Sequence, residues 1–288
     1  MSELRGDTFR RPEDLVDPGP GDRAGALYAR SYLLIRMIVG IIGIALPIIL
    51  ILGEVFILKD GVHVRGSISA YYHTSVRDVF VAGLCVTGFF LGTYMAGQSN
   101  KDFWWSLVAG VAVIGVVFFP TQRPQLLDTA PRCGVTPPPA GCSPVQQWLG
   151  ENLVATLHFA FAAIFILSLA RIGFLFAKRE KELEKDAERQ SARIRILSSR
   201  TARARILYAC SWVIVGAVGL AIVGATIWKF TIWELTPLYL AEVASVWAFG
   251  VAWLLKSRAL WAALFHPVAP SAPQPGPNEP VTSSPAGS

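Results

Sequence analysis

The chain has 288 residues, of which 53% are hydrophobic and only 16% charged, with a formal net charge of +6. Soluble domains carry about 25% charged residues. Here the charges crowd into a few segments and leave long stretches nearly without them, which excludes an ordinary water-soluble domain. Lys and Arg gather on the cytoplasmic side of membrane proteins, so the positive balance calls for no nucleic-acid partner.

Residues 1–22 are polar and rich in Pro and Gly, and residues 1–30 are predicted to form a disordered cytoplasmic N-terminus. They contain no apolar core and no small-residue cleavage site, so the first helix is expected to act as its own insertion signal. Six apolar runs follow, at about 32–58, 78–97, 103–119, 152–177, 205–228 and 237–256. Each is near the ~20 residues that span a bilayer core. Pro47 falls inside the first run, where a kink is expected. The 103–119 run is the shortest and the weakest candidate for a full span. Residues 258–288 form a Pro/Ser/Gly-rich tail, predicted disordered. The fold expected is all-α: a polytopic bundle of six transmembrane helices over 31–257.

Basic residues near the helix ends set the orientation. Arg23, Arg30 and Arg36 flank the first run, ten Lys and Arg crowd into 178–205, and Lys256 and Arg258 follow the last run. A six-span path puts all three segments on one side, with both termini cytoplasmic. The loops 59–77, 120–151 and 229–236 then face outwards, at the plasma membrane. Residues 179–197 read as a helical extension with charges at helical spacing, such as Glu182 with Lys185, and Ser199 as a cap for the next helix. The basic segment offers a surface for anionic lipid headgroups, though topology alone already demands cations there.

Cys133 and Cys142 lie in the 120–151 loop, on the oxidising side, and are expected to pair. Their nine-residue separation is too long for a zinc knuckle. Cys85 and Cys210 fall within helices, as packing residues. Gly88, Gly92 and Ala96, and likewise Ala217, Ala221 and Ala225, recur at four-residue steps that let helices approach closely. Trp104, Trp105, Trp228 and Trp233 sit at interfacial positions.

The densest polar segment runs from Gly66 to Asp78 and includes Ser69, Tyr71, Tyr72, His73 and Arg77. A turn at Asp60-Gly61 precedes it, with a small hairpin expected around it. Polar residues inside helices form a second set, since they are costly there and tend to be functional or paired. His158 and Glu242 each lie roughly 8–9 Å below the outer boundary at 1.5 Å per residue. Ser245 is one turn beyond Glu242, and Asn152 and Asp78 begin their helices at that boundary. These groups define a candidate site in the outer half of the bundle. Each also has a purely structural role open to it: Asp78 as a helix cap, Arg77 as a headgroup anchor, His158 and Glu242 as a mutual clasp.

The runs SISAYYHTSVRDVF (67–80), GFFLGTYMAG (88–97), ATLHFAFAAIF (155–165) and AEVASVWAFGVAWLLK (241–256) carry a resemblance. Over most of 31–257 the chain resembles bacterial six-helix membrane proteins of unassigned function, similar in outline to the DRAM/Sfk-like membrane proteins. Ser69-x-x-x-His73 is similar, more distantly, to an element of the CREST superfamily of membrane hydrolases, which includes alkaline ceramidases. That likeness implies lipid-amide hydrolysis with zinc. His73 and His158 would be metal ligands, and Ser69, Asp78 and Glu242 would complete the site. The chain departs from the pattern: it has no His-x-x-x-His pair on the last helix, six spans in place of seven, and His63 is poorly placed as a third ligand.

Two functions follow as expectations. The first is a lipid-interacting, sensory or structural membrane protein whose outer polar residues hold its loops. The second is a metal-dependent hydrolase acting on an outer-leaflet lipid, with bound water as the nucleophile. Transport is disfavoured, since no inverted repeat or pair of broken helices is visible.

Overall fold

The computed structural model describes residues 23–58, 64–94, 100–123, 131–189, 194–226 and 235–256. The predicted hairpin near Asp60-Gly61, His63, Trp228, Trp233, residues 1–22 and the 258–288 tail lie outside these residues, whereas residues 23–30, expected to be disordered, are the start of a helix. Among the described residues every regular element is helical: α1 (Arg23–Leu58), a 3-10 helix (Ile68–His73), α2 (Arg77–Thr93), α3 (Lys101–Phe118), α4 (Pro144–Leu149), α5 (Glu151–Arg189), α6 (Ile194–Thr226) and α7 (Pro237–Lys256).

Five helices (α1, α3, α5, α6 and α7) are long and apolar enough to cross a membrane. The weak span is α2 rather than α3. It has 17 residues, about 25 Å at 1.5 Å per residue, whereas α3 has 18. Tyr94 leaves the helical region with ψ 122° and ends α2 early. The described parts of the basic 178–205 segment are helical. α5 runs to Arg189 and α6 begins at Ile194, so both helices carry the charges past the apolar core. α6 is already helical before Ser199, so that residue lies within the helix and not at its start. The i,i+4 ion pair on the extension is Lys178 with Glu182, at 3.8 Å.

Large apolar side chains such as Phe56, Phe89, Val111, Phe159, Trp212 and Ile222 point away from the bundle. So much exposed apolar surface is stable against lipid and would drive aggregation in water. Inside, two apolar clusters divide the bundle. One joins Val39, Leu91, Tyr94, Leu169, Phe176, Leu207 and Trp253. The other, at the disulfide end, joins Leu50, Tyr71, Tyr72, Val76, Phe80 and Tyr239.

At the basic end, charged groups from four helices meet, with Tyr94 at the end of α2 beside them. Arg179 Nη1 of α5 lies 2.7 Å from Asp102 Oδ2 of α3, and Lys256 Nζ of α7 donates to Glu180 Oε1 of α5 at 2.7 Å. Arg36 of α1 donates to the Tyr94 hydroxyl and, at 3.3 Å, to the Lys256 carbonyl. Its guanidinium also lies over the Tyr94 and Phe176 rings, 5.3 and 5.6 Å from their centroids. Each buried charge thus has a partner, as a low-dielectric interior requires.

Gly88 and Gly92 of the predicted small-residue stripe form an intramolecular contact, and Ala96 lies outside the described residues. A Cβ on Gly110 of α3 would stand 2.7 Å from the Gly88 carbonyl oxygen and 2.8 Å from the Gly92 nitrogen. These neighbours are backbone atoms and cannot rotate aside. Gly110→Val should therefore destabilise the bundle by about 1–3 kcal/mol or more. Gly92→Ala meets nothing within 4 Å and should melt close to wild type. Thermal denaturation of both variants in detergent checks this.

Candidate functional site

The sequence-predicted residues gather at the disulfide end, but in two separate groups. The first surrounds the segment that leaves α3. Phe119 ends α3 by returning its N–H to Gly115, and the backbone then turns through Pro120 to Arg123. This irregular strip presents carbonyls with no helical partner, and two histidines satisfy them. His158 of α5 uses Nδ1 to bond the Phe119 carbonyl at 2.7 Å. His73, at the end of the 3-10 helix, uses Nε2 to bond the Thr121 carbonyl at 2.8 Å. Gln146 Nε2 donates to the same Thr121 carbonyl at 2.8 Å. A carbonyl only accepts, so each imidazole must carry its proton on the named nitrogen.

Burial pushes the His73 imidazole below its ordinary 6.5, and the bond to Thr121 and the charge of Glu151 only partly offset this. Arg77 and Arg123 push in the same direction as burial. The folded protein thus binds a proton at this site less readily than the unfolded chain.

Sequence reasoning missed α4, which lies within the expected 120–151 loop. Its signal was present: Ser143-Pro144-Val145-Gln146 is a capping box with Pro at N1. The Ser143 hydroxyl accepts from the Gln146 N–H, and Gln146 Oε1 accepts from the Ser143 N–H, at 3.1 and 3.0 Å. Cys133 and Cys142 are paired as a disulfide, with Cα atoms 5.8 Å apart. Arg123 binds this cap together. Its side chain donates to the Ala140 and Pro131 carbonyls, each at 2.9 Å, and to Glu151. Its backbone N–H donates to Glu151 Oε1 at 2.8 Å. Asn152 is exposed and accepts from Gln122 and Arg132 at 2.9 and 3.0 Å.

The second group lies where the 3-10 helix meets α1 and α7. Glu242 accepts from the Ile68 N–H and, at 3.5 Å, from the Ser69 hydroxyl. Thr236 donates to the Gly66 carbonyl, and Ser67 caps the 3-10 helix by accepting from Ala70 N at 3.0 Å. Beneath them Tyr71 is fully buried and its hydroxyl has no hydrogen-bond partner among the described residues. Burial, with Tyr239 beside it, pushes that phenol up to about 12, so it stays protonated. Glu54 of α1, only 2% exposed, pairs with Arg65. It is the residue most plainly missed, and its signal was a carboxylate inside the first apolar run. Ser245 is buried on α7.

Several expectations need correction. His158 and Glu242 do not clasp each other; each closes a different contact. Asp78 is exposed in the first turn of α2 and caps nothing, because Val76 is the N-cap residue and Asp78 lies two positions beyond it. Arg77 binds within its own segment, donating to the Tyr72 hydroxyl at 2.9 Å with its guanidinium 4.4 Å from the ring centroid. The set does not fit zinc. Glu242 faces the 3-10 helix and Asp78 is exposed, so neither carboxylate stands with the two histidines. Among the described residues no three His, Cys, Asp or Glu side chains gather as a metal would need.

Comparison of the chain with protein-family models, with curated proteins and with solved structures finds no match.

The His73 shift has a signed consequence. A folded-state value below 6.5 means that the unfolded chain takes up the proton first as pH falls. Stability is therefore intact above about pH 6.5 and is lost on acidification below it. In His73→Gln, which keeps a donor but does not titrate, the loss of melting temperature on acidification should be smaller than in wild type. Equal slopes for the two proteins would contradict it.

Proposed function

We propose that this chain is a multi-pass plasma-membrane protein with six spans and cytoplasmic termini. Its outer polar residues build a rigid cap that serves lipid interaction, sensing or assembly, not catalysis. The observation that carries this reading is the use made of the two histidines. Each spends a ring nitrogen on the backbone carbonyl strip after α3. An imidazole used this way anchors a loop.

The sixth span is α2, whose 17 residues lie at the short end of what crosses a bilayer. The basic extensions of α5 and α6 lie opposite the disulfide, which supports the orientation by the positive-inside rule and by redox compartment. The partners this implies are the bilayer itself and anionic headgroups against the basic extensions. No nucleic acid is invoked.

Two measurements test the reading. Metal analysis of the purified wild type should find no stoichiometric zinc, and His73→Ala and His158→Ala should lower the melting temperature by loosening the cap. Stoichiometric zinc lost in both variants would instead support the hydrolase. For topology, a cysteine introduced at Lys181 should resist an impermeant thiol reagent applied from outside the cell, while one at Val135 should react. The reverse pattern overturns the orientation.

A further inference from the structure

The positive-inside rule accounts for cations at the basic end and disfavours them at the disulfide end. Among the described residues, the arginines at the disulfide end are Arg65, Arg77, Arg123 and Arg132. Arg65 is engaged by Glu54, Arg77 by the hydroxyl and ring of Tyr72, and Arg123 by Glu151 and two carbonyls. Arg132 differs. It is exposed, and its Nη1 donates to the neutral side chain of Asn152 at 3.0 Å. Gln122 Nε2 donates to the same Asn152 Oδ1 at 2.9 Å. Arg132 Nε and Nη2 and Asn152 Nδ2 then have no acceptor among the described residues. Three exposed side chains from three segments thus bring spare donors and a positive charge to one place.

We propose that Arg132, Gln122 and Asn152 hold the phosphodiester headgroup of an outer-leaflet phospholipid, with an acyl chain laid along α5 below them. This names a ligand for the lipid interaction proposed above and rests on that reading. "Outer" rests on the proposed orientation; the binding does not.

The position of the donors favours a lipid over a free anion. Asn152 is the second residue of α5, and the outward face of that helix starts directly below it. Leu153, Phe159, Ile164 and Leu167 are between 45% and 53% exposed. Ala160 and Ala163 are exposed among them, and such small side chains leave room for a chain to lie against the helix. From Leu153 to Ile164 this face runs about 16 Å, close to one leaflet of a ~30 Å hydrocarbon core. Charge points the same way. The acid next to Asn152 is Glu151, which is 8% exposed and spends its oxygens on Arg123 and the Cys133 N–H. Among the described residues no carboxylate pairs with Arg132. A guanidinium suits phosphate because it offers several N–H donors in one plane, and amide N–H groups can add to them. The donors are also held in place beforehand. Arg132 precedes Cys133, which the disulfide and the Glu151 bond fix, and Asn152 stands on a helix. Little ordering cost is then left for the ligand to meet.

Native mass spectrometry of the full chain in detergent, titrated with dioleoyl phosphatidylglycerol, reads the site. The wild type should retain a lipid that Arg132→Gln binds about tenfold more weakly, the effect of losing a charge-assisted bond to phosphate. Gln122→Glu, which sets an acid beside the headgroup, should weaken it at least as much, and Arg132→Lys should recover part of the affinity. Both positions are exposed, so these variants should melt with the wild type in lipid-free detergent. Diolein, with the same chains and no phosphate, should not be retained. Millimolar inorganic phosphate should leave the lipid bound; displacement by it would mark a free-anion site and overturn the proposal. Equal affinity in wild type and Arg132→Gln overturns it as well. So does an equal loss in Arg77→Gln, which removes the same charge from the same end and would mean a diffuse field in place of a site. Detergent gives the protein no sides, and none of these variants touches a histidine. Failure here therefore leaves the histidine-anchored cap and the orientation standing, and the zinc analysis and thiol labelling test those separately.

Discussion

A polar group inside a bilayer has no water to bond, so its partner must come from the protein. This constraint organises both ends of the bundle. At the basic end it gathers Arg36, Asp102, Arg179, Glu180 and Lys256 into contacts that tie α1, α2, α3, α5 and α7 together. Removing one member of a buried pair strands the other and typically costs about 3–5 kcal/mol. At the disulfide end the groups to be satisfied are mostly backbone. The chain leaves α3 without continuing its hydrogen bonds, and side chains of His73, Gln146 and His158 take the carbonyls that α3 leaves behind.

That satisfaction fixes which way each group faces. Catalytic zinc needs three converging donors. Here each imidazole reaches the strip after α3 through one ring nitrogen, the Glu242 carboxylate faces the 3-10 helix, and among the described residues no three such side chains gather. Ser69 and His73 share one short helix but serve different partners, Glu242 and Thr121. Their four-residue spacing, which resembles a hydrolase element, is accounted for by two separate anchoring contacts.

The 3-10 helix is where the two polar groups communicate. It packs Tyr71 and Tyr72 into the apolar cluster of α1, α2 and α7, while its ends reach α7 and the strip after α3. The cap beyond it depends on different bonds, through Arg123, Glu151 and the disulfide. The disulfide end thus combines a covalently closed lattice with a short segment held by apolar packing at its middle and side-chain hydrogen bonds at its ends.

Apolar run length and the clustering of charge were enough to determine an all-helical membrane protein, the approximate bounds of its spans and the pairing of Cys133 with Cys142, because these depend on local composition and compartment. They also singled out His73, His158 and Glu242, because a polar residue beside or within a span is conspicuous. Glu54 and α4 were legible, from a carboxylate in an apolar run and a Ser-Pro-x-Gln box, but were overlooked. What only the tertiary structure decided was pairing. Equal depth in the membrane places His158 and Glu242 on one level without saying which way each faces, and the helix rotations turn them to different partners. The early end of α2 at Tyr94, the Gly110 contact with Gly88 and Gly92, and the placement of Asp102 beside Arg179 likewise depend on how the helices pack, a property that no single run of residues contains.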